Sequence, residues 1–548
     1  MKNTLVLLIL CIKLTSILYS QNFEIVWQQC YGGSQEERPS DILAVDGGYF
    51  IVGGTYSYDG DVSFNQGSSD AWLLKIDSIG NILWEKTYGG SNGEFWRRIL
   101  PAPDNCYYLL GASGSWDGDI SYDPYPGSND LWIAKIDSVG NLIWEKIIGG
   151  WMIDMIESAA LADDGGVVVF GWTGSQDGEV TVNYGMYDMW LVKLNSDGDI
   201  EWDKSFGTDD FDYGHAIIST SDGGFLIGGA STIGSGGNLT CVPYNHKAMA
   251  ILIKLDSMGN IEWQKCYGGS GHDGIYGLLE LNDGYAFTAF TDSPDGDVSG
   301  WHGHTDIWFV RLDTSGNIIW EKCFGGSDGE IAHHLFVDSN GNFTIIGQTR
   351  SNDGDVSGNN SVGGKHDVWV FRIDNQGFLL TQQCFGGIGN EALNGRRFGV
   401  AQKSDNNFVI ATITNYGPSF DVGCTPYGGN GDIDYWVFEI MLDDTTNVIE
   451  PVESAKRIRV YPNPAKEYVV FEIAGATPPA PLKGGAPARV IMMDVFGRQV
   501  AEKEITSEQT MLDVSGLPGG VYFYRIYPVP SGLALGEITY SGKLVIQR

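Results

Sequence analysis

The stretch Trp84-Glu-Lys-Thr-Tyr-Gly-Gly90 recurs along the chain and decides the fold. Its glycine pair stands at positions 32–33, 89–90, 149–150, 268–269, 325–326 and 386–387, with Gly207-Thr208 as a degenerate copy. Successive copies are 57, 60, 58, 61, 57 and 61 residues apart. A period near 60 residues is typical of an array of supersecondary units, each packed against its neighbours.

Each repeat has the pattern of four short strands joined by turns. In the first repeat, the first predicted strand ends near Val45. The other three span Tyr49–Tyr56, Ala71–Asp77 and Ile82–Tyr88. Asp-Gly and Gly-Asn pairs between alternating apolar runs predict hairpin turns, because such turns need positive φ angles. Four antiparallel strands per repeat predict a β-propeller blade.

The two ends of the repeat array complement each other. Asn22–Tyr31 has the pattern of a fourth strand with no preceding three, and the last repeat stops after its third strand, Tyr435–Ile440. Pairing these ends would remove both open sheet edges. The sequence therefore predicts an all-β chain with a seven-bladed β-propeller closed by the N-terminal strand. The alternative is an open solenoid of hairpins, which would be expected to have dissimilar capping repeats.

The charge of this 548-residue chain is strongly acidic, at −36. From Lys456 onward there are 11 Lys and Arg against 8 Asp and Glu, so residues 1–455 carry a net charge of −39. Such a surface repels phosphate backbones, which argues against nucleic-acid partners. It suits metal cations or a role in solubility.

The N-terminus has the pattern of an export signal. Lys2 gives the charged start, Leu5–Ile12 the apolar stretch, and Ser20-Gln21 a cleavage point, so we assign residues 1–20 to a signal peptide. The apolar run is too short for a transmembrane span.

Cleavage at this point would leave seven cysteines. Four occupy equivalent positions of the repeat, too far apart to bridge one another, and are expected to be buried free thiols: Cys30, Cys266, Cys323 and Cys384. Cys241 and Cys424 lie in predicted loops and are the possible exceptions.

Residues 21–442 form the predicted propeller, 443–455 a linker and 456–548 a separate domain. The last domain has, in order, Arg459-Val-Tyr-Pro-Asn-Pro464, Val490–Val495 with Phe496-Gly497-Arg498, Leu512–Leu517, Gly520–Phe523 and Gly542–Ile546. It resembles the type A sorting domain of type IX secretion cargo. The resemblance implies a small immunoglobulin-like sandwich that engages the type IX machinery and directs the chain across the outer membrane, to be secreted or displayed at the cell surface.

Acids recur at one position of every repeat, four residues after the second glycine. We call them the ring acids: Glu37, Glu94, Asp154, Asp212, Asp273, Glu330 and Glu391. This position opens the first strand, which lines the channel of a propeller, so a ring of carboxylates at the channel mouth is one interpretation. The other is structural, with each acid accepting hydrogen bonds from its own turn.

Two further patterns suggest metals. An Asp-Gly-Asp/Glu motif, whose acids we call the clamp acids, recurs at Asp59/Asp61, Asp117/Asp119, Asp177/Glu179, Asp295/Asp297 and Asp353/Asp355. Its oxygens suit calcium, although it lacks the full donor set of a calcium loop and is also an ordinary turn. All eight histidines lie between positions 215 and 366, and a zinc patch would draw on His246, His304, His333 and His366. Chance clustering is the alternative, because no short ligand spacing appears.

No catalytic motif is present. A third recurring acid stands two residues before the third-strand Trp in six repeats and has the pattern of a structural pair with it: Asp70, Asp130, Asp188, Asp306, Asp367 and Asp434. Four aromatic residues near the long loops are expected to be exposed and to bind a glycan or protein: Trp96, Trp116, Trp151 and Trp301. The leading hypothesis is a non-enzymatic binding propeller. The alternative is a surface hydrolase or lyase that uses the acidic, histidine-bearing loops.

Overall fold

The chain divides into two compact units, one ending at Asp444 and the other beginning at Thr445. The computed structural model describes residues 23–442, except 126, 233, 242–246 and 393–397. In the second unit it describes 457–461, 466, 468–474, 488–493, 498–505, 509–528 and 540–546. Apart from one 3₁₀ turn at Pro103–Asn105, the regular structure of these residues is all β.

The first unit is a seven-bladed propeller whose described strands form four-stranded antiparallel sheets. Blades 1 to 3 contain β2 (Glu37–Val45), β3 (Gly48–Thr55), β4 (Asp70–Ile76), β5 (Ile82–Tyr88); β6 (Glu94–Ala102), β7 (Cys106–Ser113), β8 (Asp130–Ile136), β9 (Leu142–Ile148); and β10 (Asp154–Leu161), β11 (Val167–Thr173), β12 (Asp188–Leu194), β13 (Ile200–Phe206).

Blades 4 to 6 contain β14 (Asp212–Ser219), β15 (Phe225–Ser231), β16 (Met249–Leu255), β17 (Ile261–Tyr267); β18 (Asp273–Leu281), β19 (Gly284–Thr291), β20 (Asp306–Leu312), β21 (Ile318–Phe324); and β22 (Glu330–Val337), β23 (Phe343–Thr349), β24 (Asp367–Ile373), β25 (Leu379–Phe385). Blade 7 contains β26 (Gly399–Ser404), β27 (Asn407–Thr414), β28 (Asp434–Leu442) and the N-terminal strand β1 (Phe23–Tyr31). β1 pairs antiparallel with β28, with Phe23 opposite Leu442 and Tyr31 opposite Tyr435.

The core lies between the blades. The third strands of blades 1 to 6 are buried along their whole length, as expected of near-continuous apolar runs covered on both faces. Among the described residues, hydrophobic clusters join each pair of neighbouring blades, including blade 7 with blade 1. The first strands of neighbouring blades contact one another, which places them around the axis.

A tryptophan on the fourth strand packs against a glycine in the turn of the next blade. Trp84 of blade 1 lies against Gly140 of blade 2, and Trp27 of β1 lies against Gly80 of blade 1. Both glycines have positive φ angles, +79° and +90°, and a Cβ on either one would approach the indole to about 3 Å. Gly is therefore needed for the turn and for the contact.

Two of the four repeat-equivalent cysteines are disulfide-bonded, which corrects the expectation for Cys30 and Cys266. The described disulfides are Cys30–Cys424 and Cys241–Cys266, and the Cα atoms are 5.8 and 5.9 Å apart. In both cases the long loop of a blade brings its cysteine over the fourth strand of the same blade. Cys323 and Cys384 are buried free thiols, as expected.

The second unit contains two described sheets. One consists of β29 (Arg457–Tyr461), β30 (Tyr468–Ala474) and β33 (Gln509–Asp513), and the other of β31 (Ala488–Met493), β32 (Gln499–Ile505), β34 (Gly520–Pro528) and β35 (Tyr540–Ile546). Residues from both sheets, including Val469, Val490 and Leu512, share one hydrophobic cluster.

Candidate functional site

The ring acids are buried inside the blades. All seven are at most 1% exposed. In blade 1, Glu37 accepts hydrogen bonds from the Gly33 amide at 2.8 Å and from the Thr55 hydroxyl at 2.7 Å. The same amide and hydroxyl contacts recur at the other ring acids, Glu94, Asp154, Asp212, Asp273, Glu330 and Glu391. These contacts agree with the structural interpretation and not with carboxylates open to the channel mouth, because each acid ties the loop between blades to the end of a second strand.

The clamp acids hold the same loop from the other side. Asp59 accepts the Ser34 amide at 2.8 Å, and Asp61 accepts the Gly32 amide at 3.1 Å. Equivalent contacts with main-chain amides are made by Asp117, Asp119, Asp177, Glu179, Asp295, Asp297, Asp353 and Asp355. Among the residues that the structure describes, no group of three or more His, Cys, Asp or Glu is placed to hold a metal ion. Calcium and zinc stay predictions.

The described loop histidines have separate surroundings. His302 Nδ1 lies 2.7 Å from Asp306 Oδ2, and its Nε2 lies 3.9 Å from Asp355. His304 is exposed and contacts the Thr305 hydroxyl. His366 is buried, and burial, with a contribution from Arg350, lowers its pKa to about 4, so it is neutral at pH 7. His246 lies outside the described residues.

Three other histidines lie on first strands, not in the loops: His215, His333 and His334. His215 of blade 4 stacks on Tyr276 of blade 5 with ring centroids 4.5 Å apart. Tyr276 in turn contacts His333 of blade 6 edge to face, at 5.0 Å. The histidines that the sequence grouped into one lateral patch are therefore divided between the loops and the axis.

Of the four tryptophans that were expected to be exposed, one is buried and three are exposed. Trp96 is fully buried and stacks on Trp132 with centroids 4.1 Å apart, so the expectation of an exposed ring is wrong there. Alternation along β6 points Trp96 into the blade interface, while Phe95 and Arg97 line a cavity. Trp116, Trp151 and Trp301 are exposed by 55%, 60% and 37%.

A cavity of about 390 Å³ lies where the first strands of several blades meet. Its lining comes from blades 7, 1, 2 and 3 and includes Arg38, Phe95, Arg97, Met155, Glu157 and Thr412. Arg97 of blade 2 forms a salt bridge with Glu157 of blade 3. Arg38 forms a salt bridge with Glu36 at 2.5 Å. The cavity thus combines apolar side chains with paired charges, one pair within blade 1 and the other between blades 2 and 3.

The residues at the axis stand one or three positions after a ring acid. One position after it are Arg38, Phe95 and Met155, and three positions after it are Arg97, Glu157, His215, Tyr276 and His333. They differ from blade to blade, whereas the ring acids repeat. This contrast is visible in the sequence and would have located the site. A prediction based on residues that repeat in every blade does not find it, because the residues at the axis differ between blades.

Comparison with known proteins identifies the C-terminal unit. The family model of the secretion system C-terminal sorting domain matches residues 459–531. The chain carries a type IX secretion sorting domain. Such a domain implies secretion or export to the cell surface. Among the described residues, none forms a helix with the length and hydrophobicity needed to cross a membrane.

The propeller has distant relatives. Over 392 residues it is 22% identical to the regulatory protein FlaEY of Caulobacter vibrioides, covering 64% of this chain and 40% of that protein. The chain therefore spans less than half the length of this curated relative.

Two solved structures match the chain at low similarity. The Pan2 WD40 domain of Neurospora crassa is 12% identical with a TM-score of 0.41, covering 77% of this chain and 96% of that one. PorZ of Porphyromonas gingivalis, described as a surface component of the type IX secretion system, is 10% identical with a TM-score of 0.22, covering 96% and 86%. At these TM-scores neither likeness informs the function.

Proposed function

We propose that the protein is a secreted or surface-displayed binding propeller whose ligand, a glycan, occupies the cavity between blades 7, 1, 2 and 3. The observation that carries this proposal is that the residues at the axis differ from blade to blade. A residue that each blade needs for its own fold repeats in each blade, as the ring acids do. Apart from the ring acid Glu94, the residues lining the cavity do not repeat, which is typical of a site that one ligand uses.

The lining suits a sugar ring. Phe95 and Met155 provide an apolar surface for one face of a pyranose, and the Arg97–Glu157 pair offers donors and acceptors to its hydroxyl groups. Because each described arginine there is paired with an acid, an uncharged glycan fits better than an anionic one. The acidic surface around the cavity also disfavours polyanions.

A glycan array followed by calorimetric titration of the best ligand tests this proposal. Phe95→Ala and Glu157→Gln are each expected to weaken binding by about tenfold or more, which corresponds to about 1.4 kcal/mol. Trp116→Ala removes an exposed ring outside the cavity lining and serves as the matched control. Equal weakening by all three substitutions, or by none, would contradict the cavity as the site.

The alternative is a surface hydrolase or lyase, and the contact between His302 and Asp306 is the observation that favours it. However, Gln66 stands at the same repeat position in blade 1, and it bridges to Asp119 of blade 2 at 2.9 Å. His302, which lies near Asp355 of blade 6, takes the same place. A bridging role explains this position without catalysis. Turnover of any substrate in a hydrolase panel, abolished by substitution of the exposed His304 (His304→Ala), would instead establish an enzyme.

The domain plan completes the proposal: signal peptide 1–20, propeller 21–442, linker 443–455 and sorting domain 456–548, the last an immunoglobulin-like sandwich. We further propose that β1 closes the ring. Its pairing with β28, the Trp27–Gly80 contact and the bond from the Tyr31 hydroxyl to the Gly80 carbonyl support closure. The equivalent Tyr88 bonds to Gly140 between blades 1 and 2.

A further inference from the structure

Buried carboxyl groups meet in pairs at six of the seven blade interfaces. Each pair joins a third-strand aspartate to the ring acid of the next blade: Asp70–Glu94, Asp130–Asp154, Asp188–Asp212, Asp306–Glu330, Asp367–Glu391 and Asp434–Glu37. All twelve residues are at most 1% exposed. Between blades 4 and 5, Met249 takes the place of the aspartate and Asp273 has no such partner.

The two carboxyl groups of a pair approach the same glycine from opposite blades. A Cβ added to Gly149 would lie 2.7 Å from Asp130 Oδ1 and 2.7 Å from Asp154 Oδ2. In the last pair before blade 7, a Cβ added to Gly386 would lie 2.4 Å from Asp367 Oδ1 and 2.9 Å from Glu391 Oε2.

One oxygen of most of these aspartates lacks a donor. The Oδ1 atoms without a hydrogen-bond partner are those of Asp70, Asp188, Asp306, Asp367 and Asp434. Their Oδ2 atoms accept main-chain amides, as in Asp70, which accepts the Gln66 amide at 2.8 Å. A buried acceptor left without a donor is costly, and the facing group is a second acceptor unless one of the two is protonated.

We propose that each of these six pairs shares one proton at neutral pH, so that the interfaces are held by acid–carboxylate hydrogen bonds. A metal ion fits less well, because each pair offers two carboxyl groups while a hard cation needs six or more oxygen ligands, and no group of three or more His, Cys, Asp or Glu among the described residues is placed to hold a metal ion. Among the residues of the six pairs, Glu94 alone lines the cavity of the proposed glycan site, and the other five pairs lie outside that lining, so this inference does not depend on the glycan site.

Burial raises the pKa of the third-strand aspartates, and the charge of the facing ring acid adds to the rise at Asp70, Asp130, Asp188 and Asp434. The pKa is about 8 for Asp130, about 7 for Asp188 and Asp434, and about 6 for Asp70. Asp130 has the highest value of these four, and the residue four positions before it is Pro126, which has no N–H to offer.

The other groups that act on the pairs are also mostly acids. They are Asp119 near Asp70; Asp123 and Glu179 near Asp130; Asp210 near Asp212; Asp355 near Asp306; Asp421 near Asp367; and Asp432 and Asp61 near Asp434. His302 is the exception, beside Asp306. The negative charges of these acids make loss of the shared proton less favourable.

The sign of the pH dependence follows from these shifts. The folded chain keeps protons that the unfolded chain, with aspartate pKa values near 4, has already released. Stability from these pairs is therefore fully present below about pH 4 and is lost as the pH rises through about 6 to 8.

Protons released on unfolding the full chain in guanidinium at pH 6, measured by pH-stat, test the proposal. Asp130→Asn supplies a permanent donor to Asp154 and is expected to release about one proton fewer than the unsubstituted chain. Its melting temperature should also fall less between pH 5 and pH 8.5. Asp77→Asn, at an exposed turn where hydrogen bonds lower the pKa of the carboxyl, is the control and should change neither quantity with pH.

A second measurement keeps the test decisive if Asp130→Asn does not fold. The infrared spectrum of the unsubstituted folded chain at pH 7 should contain a carboxylic acid C=O band that disappears on unfolding. Absence of this band, or equal proton release by the Asp130→Asn and unsubstituted chains, would overturn the proposal.

Discussion

The disulfide Cys30–Cys424 is expected to stabilise the propeller more than Cys241–Cys266 does. Both bonds join the fourth strand of a blade to its long loop, but the sequence separations are 394 and 25 residues. In the loop-entropy treatment, the bonds are worth about 6 and about 3.5 kcal/mol, a difference of about 2.4 kcal/mol. The difference arises because the longer bond confines β1 and blade 7 together in the unfolded chain.

The comparison uses two double variants of the full chain, Cys30→Ala with Cys424→Ala and Cys241→Ala with Cys266→Ala, in differential scanning calorimetry. An unfolding entropy of about 2.1 cal/mol/K per residue over the propeller converts the two losses into falls of about 7 °C and about 4 °C in melting temperature. Each variant replaces two cysteines with alanine, so the packing changes are matched. A larger fall for the Cys241–Cys266 variant would refute the reasoning, because only the loop length distinguishes the bonds.

Three other outcomes are expected. Gly140→Ala should destabilise the propeller by more than the roughly 1 kcal/mol expected of Gly47→Ala, because both glycines have positive φ angles but only Gly140 lies against Trp84. Chemical denaturation measures both losses of stability. Equal losses would mean that the contact with the indole contributes nothing. Chelators should leave the melting temperature unchanged if the clamp acid Asp59 only accepts hydrogen bonds from main-chain amides. A lower melting temperature in the presence of chelators, together with co-purified calcium, would support the metal hypothesis. Removing residues 443–548 should leave a propeller with an unchanged melting transition that is no longer exported, as cell fractionation would show; export of the truncated chain would contradict the role of the sorting domain.

The sequence predicted the blades because their requirements are local and repeated. Alternating apolar residues, Asp-Gly turns and buried third strands follow from two-residue periodicity and turn chemistry, and both can be read within one repeat. The sorting domain was predicted in the same way, from motifs in a fixed order. Trp96 was misjudged because the side of a strand that a residue faces depends on register against the neighbouring blade.

The sequence by itself therefore determined the number of blades, the strands within them and the export of the chain. Only the tertiary structure decided which side chains meet between blades: Cys30 with Cys424, the Asp130–Asp154 pair, and Arg97 with Glu157. These contacts join residues 24 to 394 positions apart, and no local pattern encodes them. They arise because the propeller fold brings corresponding ends of neighbouring sheets together.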